Sequence, residues 1–252
     1  LDNLIKAILI SFNSADSVKS GILLNEILEE LRAGNHSNLK TSTAQYSVGI
    51  YYLLKNKAGE ALNWFRLSSS IRDQMKTDDE IQAKCLFNMG LAYYSIGDYR
   101  RMAEAILRSL EIEKKLFGTN DPRLISGLSS LVTAYLNLND YRKAISYGNA
   151  ALNLTNKADE SKIPDVAVLY MNIGVCYTWL SDYSKAKLYF EQAESLYRQY
   201  HLSEDINYIN LLNSLGATCY FLGMETKSEE YFNRGFSKIK SSNSTLALNL
   251  IN

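Results

Sequence analysis

Side chains able to do chemistry are few and scattered in this chain of 252 residues, which has two histidines, His36 and His201, and three cysteines, Cys85, Cys176 and Cys219. A hydrolytic triad needs a nucleophile, a base and an orienting carboxylate brought together, and a zinc centre needs closely spaced Cys or His ligands. Neither pattern occurs. The cysteines are far apart with no C-x-x-C pair, and no nucleophile recurs beside either histidine. There is no Walker A sequence, no G-x-G-x-x-G following a strand and no evident strand. Carboxylates are numerous, but none sits in a recognisable apolar pocket. The expectation is a protein that is not an enzyme, with no catalytic residue, no metal and no cofactor. An odd number of distant cysteines fits reduced, buried thiols of a cytoplasmic protein better than a disulfide framework.

The chemistry that does recur is hydrogen bonding and ion pairing. Ser47, Asn88, Ser130, Asn172 and Ser214 are small polar residues at steps of 41 or 42, each amid apolar neighbours. An Asn amide carries donors and an acceptor, so it suits the backbone of an extended peptide or, equally, a neighbouring helix. Cations recur at Lys19, Arg101, Lys143, Lys185 and Lys227, broken by Glu60, and four of them follow Asp16, Asp98, Asp140 and Asp182 by three residues. That is the spacing of solvated helical ion pairs, and it marks an exposed face rather than an anion-binding stripe.

Lys plus Arg and Asp plus Glu each total 27, so bulk charge points to neither nucleic acid nor a membrane surface. The longest apolar candidate, Leu4 to Phe12, is interrupted by Lys6 and Ser11 and falls short of the roughly 20 residues of a membrane span. It also lacks the flanks of a signal peptide. The chain opens at Leu1 without an initiator Met and reads as a fragment of something longer. An apolar content of 46% supports a core, and only two prolines, Pro122 and Pro164, interrupt what reads as helix throughout.

Those helices repeat. Asn88-Met89-Gly90-Leu91-Ala92-Tyr93 with Gly97-Asp98-Tyr99 returns as Ser130 to Tyr135 with Asn139-Asp140-Tyr141. It returns again as Asn172 to Tyr177 with Ser181-Asp182-Tyr183, and more weakly as Ser214 to Cys219 with Gly223. Units start at Leu1, Ser42, Ala83, Ile125, Ala167 and Ile209, in steps of 41 or 42. Within a unit, small or apolar residues fall with helical period in two segments parted near position 15. The prediction is a helical hairpin. Gly97, Asn139, Ser181 and Gly223 end the first helix, and the Asp that follows the first three caps the second. Small residues at position 20 (Ala61, Ala144, Ala186, Ser228) let the helices approach, and bulky ones at position 24 (Leu24, Phe65, Phe190, Phe232) fill the space between them.

These columns resemble the tetratricopeptide repeat over nearly the whole chain, most closely in units three to five. The first unit departs, with Ala7, Ile8 and Ser11 where the family has Leu, Gly and Tyr, and reads as a cap or the end of a longer array. The period exceeds the family's usual 34, and the extra residues fall in links such as Gly118 to Pro122. That style is similar to kinesin light chains and to bacterial arrays fused to CHAT proteases or signalling kinases. The resemblance implies an all-α, right-handed α-solenoid of about six hairpins forming one domain over residues 1–252. It also implies an inner surface from positions 2, 5, 9, 12 and 13 of each first helix.

On that surface the resemblance places Tyr46, Ile50, Leu53, Phe87, Leu91, Tyr94, Met171, Val175, Trp179, Asn213 and Tyr220, with Asn88 and Asn172 beside them. Only Lys84 is charged there, so recognition of an acidic C-terminal tail is not expected. An apolar face of this kind is either a groove for a partner or a surface covered by longer helices and links. The leading expectation is a non-catalytic scaffold that binds a protein or peptide, with no nucleic acid and no membrane partner, and with an effector domain encoded beyond Asn252. The alternatives are a Rap-like receptor for a small signalling peptide and the sensor region of a kinase or CHAT protease.

Overall fold

The computed structural model describes residues 17–34, 36–155, 163–202 and 206–241. Eleven helices run through them: α1 (Ser17–Ala33), α2 (Asn38–Leu54), α3 (Ala58–Gln74), α4 (Glu80–Ser95), α5 (Tyr99–Phe117), α6 (Leu124–Asn137), α7 (Tyr141–Thr155), α8 (Ile163–Trp179), α9 (Tyr183–Gln199), α10 (Ile206–Phe221) and α11 (Glu225–Ser241). No strand occurs among the described residues. The expected all-α class is met, and the first helices of units two to six begin one to four residues before the unit starts read from the sequence. The first helix of unit one, the Asp16 cap, the side chain of Lys19 and the apolar stretch Ser244 to Ile251 lie outside the described residues.

The chain divides into two compact units, Leu1–Ala134 and Tyr135–Asn252. In the first, α2 packs on α3 and α4 on α5 as hairpins, and α3 packs on α4 to join them. In the second, α8 with α9 and α10 with α11 are the hairpins, joined through α9 and α10, and α7 packs on α8.

One turn design serves each hairpin. Asn56, Gly97, Asn139, Ser181 and Gly223 all take left-handed backbone, with φ of 57°, 76°, 59°, 59° and 70°. Each ends a first helix, and the next N–H donates back across the turn. Asp98 N bonds Tyr93 O, Asp140 N bonds Tyr135 O and Asp182 N bonds Tyr177 O, all at 2.9 Å. The Asp carboxylates then accept the N–H three residues on, from Arg101, Lys143 and Lys185 at 3.1, 3.2 and 3.1 Å.

Packing within a hairpin rests on glycine at position 8 against a bulky residue at position 24. A Cβ on Gly49 would stand 2.5 Å from the Phe65 ring, and one on Gly90 2.5 Å from Ile106 Cδ1. The same holds for Gly174 against Phe190 at 2.6 Å and Gly216 against Phe232 at 2.8 Å. Any larger residue would have to displace these side chains or the helices that carry them. In the fourth repeat the residue types exchange, with Val132 at position 8 and Gly148 at position 24.

The first unit also holds a buried polar node. Arg72 is 2% exposed, donates from Nε to Ser42 Oγ and from Nη2 to Thr43 Oγ1, each at 2.8 Å, and pairs with Asp79, the N-cap of α4. It ties α3 to α2 and to the start of the next hairpin.

Candidate functional site

The candidate residues lie between positions 2 and 13 of each repeat, on its first helix. In the first unit this face is largely closed. Tyr46 is buried, 9% exposed, tilted against Phe65 with ring centroids 6.0 Å apart, and burial pushes its hydroxyl up to about 12. Ile50 and Leu53 are half-buried against the same cluster. Asn88 donates from Nδ2 to the Tyr46 hydroxyl at 3.2 Å and to Lys84 O at 2.9 Å, so its amide N–H groups already serve the fold. Lys84 pairs with Glu80 at 2.7 Å. Phe87 and Leu91 are half-buried, and Tyr94 is exposed beside Tyr99, with centroids 6.0 Å apart.

The second unit is more open. Met171 and Val175 pack partly against the core, while Asn172 and Asn213 are half-buried and bond no other group among the described residues. At the C-terminal ends of α8 and α10 the aromatic residues emerge. Trp179 is 65% exposed and lies parallel to Tyr141, with centroids 5.9 Å apart and 2° between the planes. Phe221, 58% exposed, lies on Tyr183 at 4.7 Å and 11°. Tyr220, 66% exposed, meets Phe221 edge-on at 5.9 Å. Trp179 and Phe221 are one repeat apart, as are Tyr141 and Tyr183, so the same ledge is built twice.

Each ledge rests on the tyrosine that follows a capping Asp, within the hairpin before it. In the sequence Tyr141 and Tyr183 stand out only as repeat markers, and the signal that finds them is their recurrence after Asp140 and Asp182. The adjacent charges cancel locally. Lys143 pairs with Asp140 at 3.0 Å and Lys185 with Asp182 at 2.8 Å, and each ammonium holds its carboxyl below the usual carboxylate range by hydrogen bonding. Lys143 and Lys185 also lie over the Tyr135 and Tyr177 rings, at 5.2 and 5.3 Å.

No group of three or more His, Cys, Asp or Glu that could hold a metal occurs among the described residues. Nor is any helix there long and apolar enough to cross a membrane. The three cysteines are free and buried, and burial pushes the Cys85 and Cys176 thiols up to about 12.

The repeat architecture has a direct counterpart in sequence: the tetratricopeptide-repeat family model matches residues 82–157 and 165–237, more than half of the chain. The chain belongs to the tetratricopeptide-repeat family. No curated protein matches its sequence. Among solved structures it is similar to the apo form of RapI, at 16% identity with a TM-score of 0.78, covering 96% of this chain and 64% of that one. It is also similar to the apo quorum sensor NprR from B. thuringiensis, at 15% identity and a TM-score of 0.76, covering 96% and 65%. A third is the putative kinesin light chain from Podosopora anserina with nearly identical TPR-like repeats, at 14% identity and a TM-score of 0.67, covering 83% of this chain and 100% of that one. These likenesses show the tetratricopeptide-repeat solenoid fold.

Proposed function

We propose that this tetratricopeptide-repeat chain is a non-catalytic recognition module that binds an extended, mostly uncharged peptide or protein segment on the first-helix face of residues 163–221. One observation carries the reading: two exposed aromatic ledges, Trp179 on Tyr141 and Phe221 on Tyr183, recur at the repeat spacing, on first helices that also carry the free amides of Asn172 and Asn213. Aromatic residues in a desolvated setting are the usual anchors of an interface. An amide with no internal partner can satisfy the backbone of a bound strand, which otherwise loses its hydration. The neighbouring ion pairs are already neutralised, so a charged ligand would shed water without gaining a partner.

Two outputs fit such a module. In one, occupancy is passed to an effector domain, a signalling kinase or a CHAT protease among them, joined to or recruited by the array in the cytoplasm. In the other, the ligand is a small signalling peptide, a reading favoured by the fold shared with the quorum sensor NprR. Selection of a random peptide library displayed on phage against the chain tests the recognition chemistry. The expected clones carry spaced bulky apolar residues and few charges. A consensus of acidic or basic residues contradicts the reading.

A further inference from the structure

The fourth position of each repeat, on its first helix, holds Gln45, Leu86, Leu128, Tyr170 and Leu212 in the five described hairpins. Leu86, Leu128 and Leu212 are buried core residues and Tyr170 is half-buried, so Gln45 breaks a structural column. Its Oε1 is shut off from solvent and accepts no hydrogen bond. A cleft of about 370 Å³ opens at this point, walled by Leu28 and Leu31 of α1, Thr41 of α2 and Trp64 of α3, with Arg32 beside it. That volume lies within the range of small-ligand sites. Arg32 pairs with no carboxylate among the described residues, whereas nearby Glu30 is held by His36 at 2.9 Å.

An orphaned amide oxygen costs stability wherever it lies, and a leucine here would remove that cost, as in the other hairpins. An apolar wall, an unpaired guanidinium and an unsatisfied amide together describe one kind of ligand. We propose that this cleft binds an apolar residue that ends in a carboxylate and carries an acylated amine. The side chain lies against Leu28, Leu31 and Trp64, the carboxylate meets Arg32, and a rotation of the Gln45 side chain brings Oε1 into the cleft to accept the ligand's amide N–H. The same chemistry belongs to a free N-acyl amino acid and to the C-terminal residue of a peptide. The cleft is built from residues of the first unit and the aromatic ledges from residues of the second, so it stands or falls independently of them.

Trp64 and Trp179 are the two tryptophans of the chain, so a Trp179→Phe background leaves Trp64 as the sole reporter. Titration with N-acetyl-L-leucine should give a saturable change in its fluorescence. Arg32→Gln should weaken the affinity by about tenfold or more, and Gln45→Leu should abolish it with helicity unchanged. N-acetyl-L-leucinamide, without the carboxylate, and 5-methylhexanoate, without the amide, should each bind at least about tenfold more weakly. N-acetyl-Ala-Ala-Leu separates the two sources. Tighter binding than N-acetyl-L-leucine identifies a peptide terminus, and weaker binding a free acylated amino acid. Should Gln45→Leu fail to fold, the exposed Arg32→Gln variant and the two analogues decide alone. No saturable binding of either acylated probe, or affinities that Arg32→Gln and loss of the carboxylate leave unchanged, overturns the proposal.

Discussion

The ring of Phe190 lies so close to the backbone of Gly174 that a single added methyl group would stand 2.6 Å from it. Two helices in this register have no room to relax apart, because α9 is also packed against α10. Gly174→Ala should therefore destabilise the protein by about 1–3 kcal/mol through overpacking. Adding Phe190→Leu should recover part of the loss, a coupling that a double-mutant cycle in urea measures directly. Additive losses would mean that the close approach does not set the hairpin geometry.

The Arg72–Asp79 pair is asymmetric, and the asymmetry predicts an order. Arg72 has 2% of its side chain exposed and Asp79 38%. Asp79→Asn leaves a buried guanidinium without its counter-charge and should cost about 2–4 kcal/mol. Arg72→Met leaves a carboxylate that water can reach and should cost less, about 1 kcal/mol. Chemical denaturation of the two variants checks the order, and equal losses would contradict the buried-charge account.

Cys85 and Cys176 should react slowly with a disulfide reagent in the native protein and fully after unfolding, because both thiols are buried and raised to about 12. The sign of the linked pH effect follows. The unfolded thiol loses its proton first, near its ordinary pKa, so stability is constant below that point and falls as pH rises towards the folded value. Tyr46 adds to the same alkaline loss from its own ordinary value upward. Thermal melts at increasing alkaline pH should show the decline, and Cys85→Ala should lessen it. A melting temperature flat through this range would be the contrary result.

Lys143→Ala and Lys185→Ala should each leave stability nearly unchanged, since both pairs are solvent-exposed. Thermal denaturation at low and high salt reads this out, and a large salt-sensitive loss would give the cation row a structural weight it is not assigned.

Much of the architecture was legible because it is periodic. The left-handed residue at position 15, the Asp cap and the bulky side chain at position 24 each recur in register, and each has a local physical cause visible in residue type alone. The candidate site was legible only in part. Nothing in the type of Tyr46 or Asn88 tells that they bond each other across one repeat and so close the first unit's face. The stacks of Tyr141 with Trp179 and Tyr183 with Phe221 join residues of neighbouring hairpins, a relationship that a column-by-column reading does not contain. Burial of Arg72 was equally invisible, because an arginine in an amphipathic helix ordinarily reads as surface.

The central claim is that the two aromatic ledges anchor a peptide. Its most direct measurement is the affinity, by isothermal titration calorimetry, of a peptide selected on the wild-type chain for Trp179→Ala, for Phe221→Ala and for the Lys143→Ala/Lys185→Ala double variant. Each aromatic truncation should lose about 2 kcal/mol or more, roughly a 30-fold weakening, while the lysine variant binds nearly as wild type at every salt concentration. Undiminished binding by both aromatic variants, together with a salt-dependent loss in the lysine variant, would contradict the account and place the site on the basic row.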